Sequence, residues 1–198
     1  MIILLSHELG HYFVSKKYKV DVTLPFFIPF PLSPFGTLGA VIKMKGTMPD
    51  RKALFDIGIA GPLTGFIFTI PCIIIGLKLS KVVVLSEISE PVMPLGSSIL
   101  FTFMEKIIFG YLPEGQDVLL HPIAYAGWVG LFVTALNLLP LGQLDGGHII
   151  YSLLGKNSKI AYYVTLGILG LICIFINPAW AFLFILLLIF GFKHPPPL

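Results

Sequence analysis

The residues whose types and spacing could do chemistry lie almost at the start of the chain. His7, Glu8 and His11 form an H-E-x-x-H pattern. Because positions i and i+4 share one face of a helix, the two imidazoles can bind one metal ion. Glu8 then stands beside that face, where it can act as a general base on a water at the metal. The alternative, a surface helix with two solvated histidines, needs polar neighbours, and residues 1–5 are all apolar. The pattern therefore predicts a metal site.

The composition places this motif in a membrane protein. The chain of 198 residues is 56% hydrophobic and 12% charged, whereas soluble domains carry about 25% charged residues. The net charge of +3 is small and spread out, so no basic cluster indicates nucleic acid. Cys72 and Cys173 each lie in an apolar run, which favours packed hydrophobic residues over a disulfide. No signal-peptide pattern precedes the motif.

Uncharged runs and proline breaks predict an all-α polytopic membrane protein of one domain, residues 1–198, with about five transmembrane helices. Four prolines exclude a regular helix at 22–42, and β-leaning residues end that stretch. It is interpreted as a small membrane-associated strand or hairpin element packed against the site helix, the alternative being a surface loop. The predicted segments are a zinc-motif helix at 1–17, a membrane-associated loop with strands at 18–52, a span at 53–79, a loop or interfacial segment at 80–117, a span with the metal-binding carboxylate at 118–155, and further spans at 159–176 and 178–193.

Two features of these helices bear on the site. Gly61-x-x-x-Gly65 forms a small-residue face that favours close helix packing in the span at 53–79. Only six residues precede His7, whereas a spanning helix needs about 20 residues. A helix that begins within lipid leaves backbone donors unsatisfied, so we expect the N-terminal helix to be truncated and the sequence to be a fragment.

A third metal ligand is predicted at Asp145. Two histidines leave a zinc ion under-coordinated, because catalytic zinc sites use three protein ligands and a water. Asp145 is the acidic residue found within or at the edges of the late apolar runs. A carboxylate at membrane depth is costly and indicates function, and its oxygen is an acceptable zinc donor. The alternative is a helix cap at a membrane exit.

Two further polar residues lie near Asp145. Asn137 could donate a hydrogen bond to a developing oxyanion, or equally could join two helices. His148 follows Asp145 by one helical turn. A fourth protein ligand would displace the catalytic water, so His148 is interpreted as a lining or interface residue.

The order of these motifs resembles a known family. The residues that carry the resemblance are His7-Glu8-Leu9-Gly10-His11, Gly58-Ile59-Ala60-Gly61-Pro62-Leu63 and Asn137-x-x-Pro140-x-x-x-Leu144-Asp145-Gly146. They are similar to the site-2 protease family of intramembrane zinc metalloproteases, and residues 24–42 followed by 49–56 resemble its archaeal, cyanobacterial and plastid branch. The resemblance implies a three-helix catalytic core and one Zn²⁺ per chain, held by His7, His11 and Asp145 with Glu8 as the base.

The predicted function is therefore an intramembrane zinc metalloprotease that hydrolyses peptide bonds within or near transmembrane segments, as in regulated intramembrane proteolysis. The expected partners are a transmembrane protein substrate and the lipid bilayer, with no nucleic acid; the oligomeric state is left open. One alternative is an intramembrane metal-ion transporter, which would need polar residues along a path that 160–192 offers sparingly. The other is a non-catalytic homologue acting as a binding partner, which the intact Glu8 disfavours.

The charge distribution predicts the orientation of this multi-pass membrane protein. Ten of the 13 basic residues fall on one side of the predicted spans. They are Lys16, Lys17, Lys19, Lys43, Lys45, Arg51, Lys52, Lys156, Lys159 and Lys193. By the positive-inside rule this side is cytoplasmic. We therefore expect the active site toward the cytoplasmic side of a membrane, taken to be the cell membrane of a prokaryote.

Overall fold

The computed structural model describes residues 1–29, 37–45, 48–87, 95–142, 144–181, 184–185 and 188. This part of the chain is mostly helical. Its α-helices are α1 (Ile2–Lys17), α2 (Arg51–Leu79), α3 (Ile99–Phe109), α4 (Pro122–Asn137), α5 (Asp145–Leu154) and α6 (Ser158–Phe175). Single 3-10 turns lie at Leu85–Glu87, Gly155–Asn157 and Pro178–Trp180.

Short antiparallel strands follow α1 and α2. In chain order they are β1 (Asp21–Val22), β2 (Phe26–Pro29), β3 (Thr37–Val41), β4 (Met44–Lys45), β5 (Lys81–Val84) and β6 (Gln116–Leu119). The pairs are β1 with β4, β2 with β3, and β5 with β6. Phe26 pairs with Val41 and Phe27 with Ala40. The first two pairs lie within 18–52, so the small strand or hairpin element predicted there is confirmed.

The chain divides into two compact units. The first contains residues 1–65 and 133–198, and the second contains residues 66–132. In the first unit, Leu141 and Tyr162 are buried, with Leu139, Leu144, Leu166 and Leu169 packed around them. In the second unit, Ile73, Leu77, Phe101 and Ala124 form a buried cluster. Each unit therefore has apolar packing of its own.

The helices long and apolar enough to cross a membrane are fewer than expected. Among the described residues there are two, Arg51–Leu79 and the helical run Asp145–Phe175, which joins α5 and α6. Helix α4 is apolar but has only 16 residues. The predicted span at 178–193 lies largely outside the described residues. The expected number of about five transmembrane helices therefore remains a prediction.

The predicted span at 118–155 is not one continuous helix. Residues 118 and 119 belong to β6, α4 ends at Asn137, and Asp145 begins α5. Pro140 has no backbone N–H and cannot continue α4, and Gly142 has a φ of 47°, which ordinary side chains rarely adopt. The chain therefore turns between the two helices, and Asp145 is placed at a helix start.

Candidate metal centre

Helix α1 brings His7 and His11 to one buried face. The two residues are 6% and 5% exposed. Their neighbours on this face are Ile3, Ser6, Gly10 and Ser15, at the spacing of a helix stripe. Both imidazoles are thus withdrawn from solvent while remaining one turn apart.

Glycines of α2 make room for the imidazole rings. A Cβ atom at Gly61 would collide with the His11 ring, and one at Gly65 would lie 3.3 Å from the Cβ and Nδ1 atoms of His7. The small-residue face predicted at Gly61-x-x-x-Gly65 is therefore the face against which the histidine pair packs.

Asp145 reaches the histidines from the first turn of α5. Leu144 is the N-cap residue and has extended backbone angles. Gly146, which follows Asp145, packs so closely against the carbonyls of Leu138 and Leu139 that a Cβ atom at this position would collide with them. This close approach brings the chain just after α4 against the start of α5, where Asp145 lies at the site.

The three predicted ligands come together as a compact donor set. Asp145 Oδ2 lies 3.1 Å from His7 Nε2, and Asp145 Oδ1 lies 3.3 Å from His11 Nε2. The two Nε2 atoms are 3.2 Å apart. Tetrahedral zinc with bonds of about 2.0–2.1 Å keeps its ligand atoms about 3.3–3.4 Å apart. The donor types and spacings therefore fit a zinc ion, and this cluster could hold one.

A backbone carbonyl orients His11. Its Nδ1 atom lies 2.7 Å from the carbonyl oxygen of Ile57 on α2. Since a carbonyl only accepts, Nδ1 carries the proton and donates it, which leaves the Nε2 lone pair for a metal. Metal-binding histidines are commonly held in this way through their other ring nitrogen.

The remaining predicted residues line one cavity with the ligands. This cavity has a volume of about 290 Å³, and its walls include Glu8, Asn137, His148 and residues 40–42. Asn137 Nδ2 lies 3.5 Å from His7 Nε2, at the outer limit of a hydrogen bond. A backbone interaction with Ile42 links the half-buried Glu8 carboxylate to the chain just after β3.

Sequence reasoning missed the contribution of Ile57. Its role depends on a main-chain oxygen, which every residue carries, so no residue type could signal it. The packing of the 22–42 element against the site helix, in contrast, was predicted from the sequence, and it agrees with Ala40 and Val41 lining the cavity beside His7, Glu8 and His11. Which residues of the hairpin face the cavity follows only from the fold.

A largely buried site of two histidines and one aspartate, with a glutamate beside it, is the residue set expected of a zinc metallopeptidase. The sequence profile of Peptidase family M50 matches residues 1–175. The chain therefore belongs to peptidase family M50, the site-2 protease family of zinc metalloproteases, and the resemblance predicted from the motifs is confirmed.

Curated relatives agree with this family. The chain is 37% identical over 180 residues to the probable zinc metalloprotease EGY1, chloroplastic, of Oryza sativa subsp. japonica, covering 86% of this chain and 31% of the relative. It is 36% identical over 173 residues to the protein of the same name from Arabidopsis thaliana, covering 84% and 31%. It is 30% identical over 202 residues to the probable zinc metalloprotease EGY2, chloroplastic, of Arabidopsis thaliana, covering 98% and 34%.

The relatives bear on the length of the chain and on its predicted location. The chain spans about a third of the length of these relatives, 31% to 34%. The relatives are named as chloroplastic plant proteins, so they do not support the prokaryotic cell membrane expected from the sequence. What they support is a zinc metalloprotease of a membrane-embedded family.

Proposed function

We propose that this chain is an intramembrane zinc metalloprotease that hydrolyses peptide bonds within or near transmembrane segments of membrane proteins. The observation that carries the proposal is the donor triangle of His7, His11 and Asp145, with edges of 3.1 to 3.3 Å, in a cavity that also contains Glu8. Buried charges of this kind are costly in an apolar chain unless a partner such as a metal compensates them.

The chain's own residues have distinct tasks in this proposal. His7 and His11 hold the ion through Nε2, and Asp145 holds it through a carboxylate oxygen. When bound, zinc would supply a Lewis acid that polarises a peptide carbonyl and makes water more acidic. Glu8 takes a proton from the water as the water oxygen bonds to the peptide carbonyl carbon, and it then passes this proton to the amide nitrogen, after which the carbon–nitrogen bond breaks and the amine departs.

Asn137 is proposed to bind the substrate. If the Nε2 lone pair of His7 is engaged by a metal, it can no longer accept a hydrogen bond from Asn137 Nδ2. The amide is then free to donate to the oxygen of the scissile carbonyl, where negative charge develops. The 3.5 Å distance between Asn137 Nδ2 and His7 Nε2 supports this role.

The substrate is proposed to bind in an extended conformation. Peptide bonds inside a helix are sheltered by neighbouring turns, so a transmembrane segment must unwind before attack. Ala40 and Val41 of β3 line the cavity, and a strand edge at this position could pair with an extended segment through main-chain hydrogen bonds. The proposed partners are thus a transmembrane protein and the lipid bilayer, with no nucleic acid.

The proposed orientation follows the basic residues. Lys16 and Lys17 end α1, less than two turns after His11. If the lysine-rich side is cytoplasmic in the sense of the positive-inside rule, water reaches the site from that face.

Zinc-dependent cleavage of a transmembrane peptide would test the proposal. The chain is purified in detergent micelles and mixed with a labelled peptide that contains one apolar segment and one helix-breaking residue. We expect cleavage that a chelator abolishes, that added Zn²⁺ restores, and that Glu8→Gln reduces by at least about 100-fold. Glu105→Gln, on α3 of the other unit, is the matched control and should cleave normally.

Each alternative has its own outcome in this assay. Zinc binding without cleavage by the wild-type chain would contradict the protease and favour a non-catalytic binding protein. Zinc flux into proteoliposomes without cleavage would favour a transporter. Cleavage retained in Glu8→Gln would contradict the role of Glu8 as the base.

A further inference from the structure

A second set of polar contacts joins α1 to α2 beyond the metal ligands. Tyr18, the C-cap residue of α1, donates a hydrogen bond from its hydroxyl to Asp56 Oδ2 on α2. Lys52 Nζ lies 2.8 Å from the Tyr18 hydroxyl and 2.8 Å from Asp56 Oδ2. The same ammonium lies 5.6 Å from the centroid of the Tyr18 ring. These three residues are called the Tyr18 cluster below.

The Tyr18 cluster lies close to His11 along both helices, although no residue of the cluster contacts His11. Tyr18 follows His11 by seven residues, or about two helical turns, so the two residues lie on the same face of α1. Asp56 immediately precedes Ile57, whose carbonyl oxygen accepts the His11 Nδ1–H at 2.7 Å. Consecutive residues of α2 therefore receive one polar contact from His11 and one from Tyr18.

Helices α1 and α2 are joined by close packing at glycines and by hydrogen bonds, and the two kinds of contact differ in how strictly they fix the orientation of the helices. Gly10 and Gly61 allow the helix backbones to approach closely, but apolar and steric contacts are weakly directional. A hydrogen bond is directional, and it weakens steeply when its distance or angle changes. The Tyr18–Asp56 bond is therefore suited to set the rotation and axial position of α1 on α2.

We propose that Tyr18 and Asp56 are positioning residues for the metal site, which act by holding α1 and α2 in the register that aims the Ile57 carbonyl at His11 Nδ1. In this register Nε2 of His11 faces His7 and Asp145. The inference rests on the proposed zinc site and adds residues that do not contact the metal. Lys52 contributes less, because its side chain is 75% exposed and water screens its pairing with Asp56.

The test measures the metal site rather than stability alone. Zinc affinity is determined by competition with a chelator, and the Co²⁺-substituted protein is examined by visible absorption, which reports the ligand geometry. We expect Tyr18→Phe and Asp56→Ala each to weaken zinc binding by roughly 10-fold, the lower end of the range for groups that orient metal ligands. Their Co²⁺ spectra should also change.

Two further variants act as internal controls. Asp56→Asn keeps an oxygen that accepts from the Tyr18 hydroxyl, so it should restore most of the affinity lost in Asp56→Ala. Lys52→Met removes an exposed charge but leaves the Tyr18–Asp56 bond, so its affinity and spectrum should match the wild type. Tyr18→Phe removes a single oxygen atom and keeps the ring, which makes it the variant most expected to fold.

A cluster that only stabilises the fold predicts a different pattern. In that case Tyr18→Phe and Asp56→Ala would lower the melting temperature but leave the zinc affinity and the Co²⁺ spectrum of the folded protein unchanged, which would overturn the inference. His11→Ala separates this failure from a failure of the proposed site. It should lose zinc; if it binds zinc as tightly as the wild type, both proposals are wrong.

Discussion

The Oδ2 atom of Asp145 lies 3.1 Å from Nε2 of His7, although most of the chain separates the two residues. Asp145 is the first residue of α5 and His7 lies in the middle of α1, so two helix positions and one turn must all be correct for the pair to form. The metal site is therefore a property of the folded chain.

The carboxylate of Asp145 should be required for metal binding. Asp145→Ala leaves two histidines, which hold zinc less tightly than three ligands do. We expect the zinc content after dialysis to fall from about one ion per chain to well below half. Metal analysis of the purified protein measures this. Asp21→Ala, which removes an exposed carboxylate on β1, should retain its zinc. Full zinc content in Asp145→Ala would exclude Asp145 as a ligand.

The contact between Gly61 of α2 and the His11 ring leaves no room for a methyl group at Gly61. In Gly61→Ala the new Cβ would collide with the imidazole. We expect a loss of about 1–3 kcal/mol in the free energy of unfolding, as is usual for an overpacked contact, together with weaker zinc binding. Thermal unfolding with and without zinc measures both effects.

Gly167 on α6 provides the matched control for Gly61. Within the described part of the chain, and apart from the helix's own nearby backbone and the two chain neighbours, no atom lies within 4 Å of a Cβ built at Gly167. Gly167→Ala should therefore be neutral or stabilise the helix by up to about 1 kcal/mol, since alanine favours a helix more than glycine does. Equal behaviour of the two variants would contradict the close packing of Gly61 against His11.

Asn137 should matter for turnover more than for metal binding. Asn137→Asp has nearly the same shape but loses the amide donor, so it cannot stabilise a developing oxyanion. We expect kcat to fall by about 100-fold to 1,000-fold, the usual effect of removing one such donor. Zinc content should remain close to that of the wild type. Steady-state cleavage and metal analysis of the same sample test this.

A different result would assign Asn137 to helix packing. If Asn137 only joins two helices, Asn137→Asp and Asn137→Ala would lower the melting temperature, while the folded fraction would keep its kcat. The two interpretations left open by the sequence are thus separated by one pair of measurements.

Zinc should stabilise the folded chain. A ligand that binds only the folded state contributes about 4 kcal/mol when its free concentration is 1,000 times its Kd. We expect the melting temperature to rise with added Zn²⁺ and to fall after chelation. The stabilisation should also weaken in acid, because protons compete with the metal for histidine nitrogen and carboxylate oxygen. His11→Ala should show little of this shift; an equal shift would indicate another zinc site.

The sequence alone determined the class of this protein. The i, i+4 spacing of two histidines with an adjacent glutamate predicted a metal site because helix geometry brings such residues together. The low fraction of charged residues predicted a membrane protein, and the family match agrees with both. These inferences depend on residue type and short spacing, which a sequence contains in full.

Only the tertiary structure decided how the site is built. Asp145 was expected within one span at 118–155, but the turn at Pro140 and Gly142 makes it the start of a separate helix. The orientation of His11 depends on the Ile57 carbonyl, and the Tyr18–Asp56 contact depends on how α1 lies on α2. Main-chain oxygens have no residue identity, and contacts between distant segments have no local signal, so these features appear only when the chain is folded.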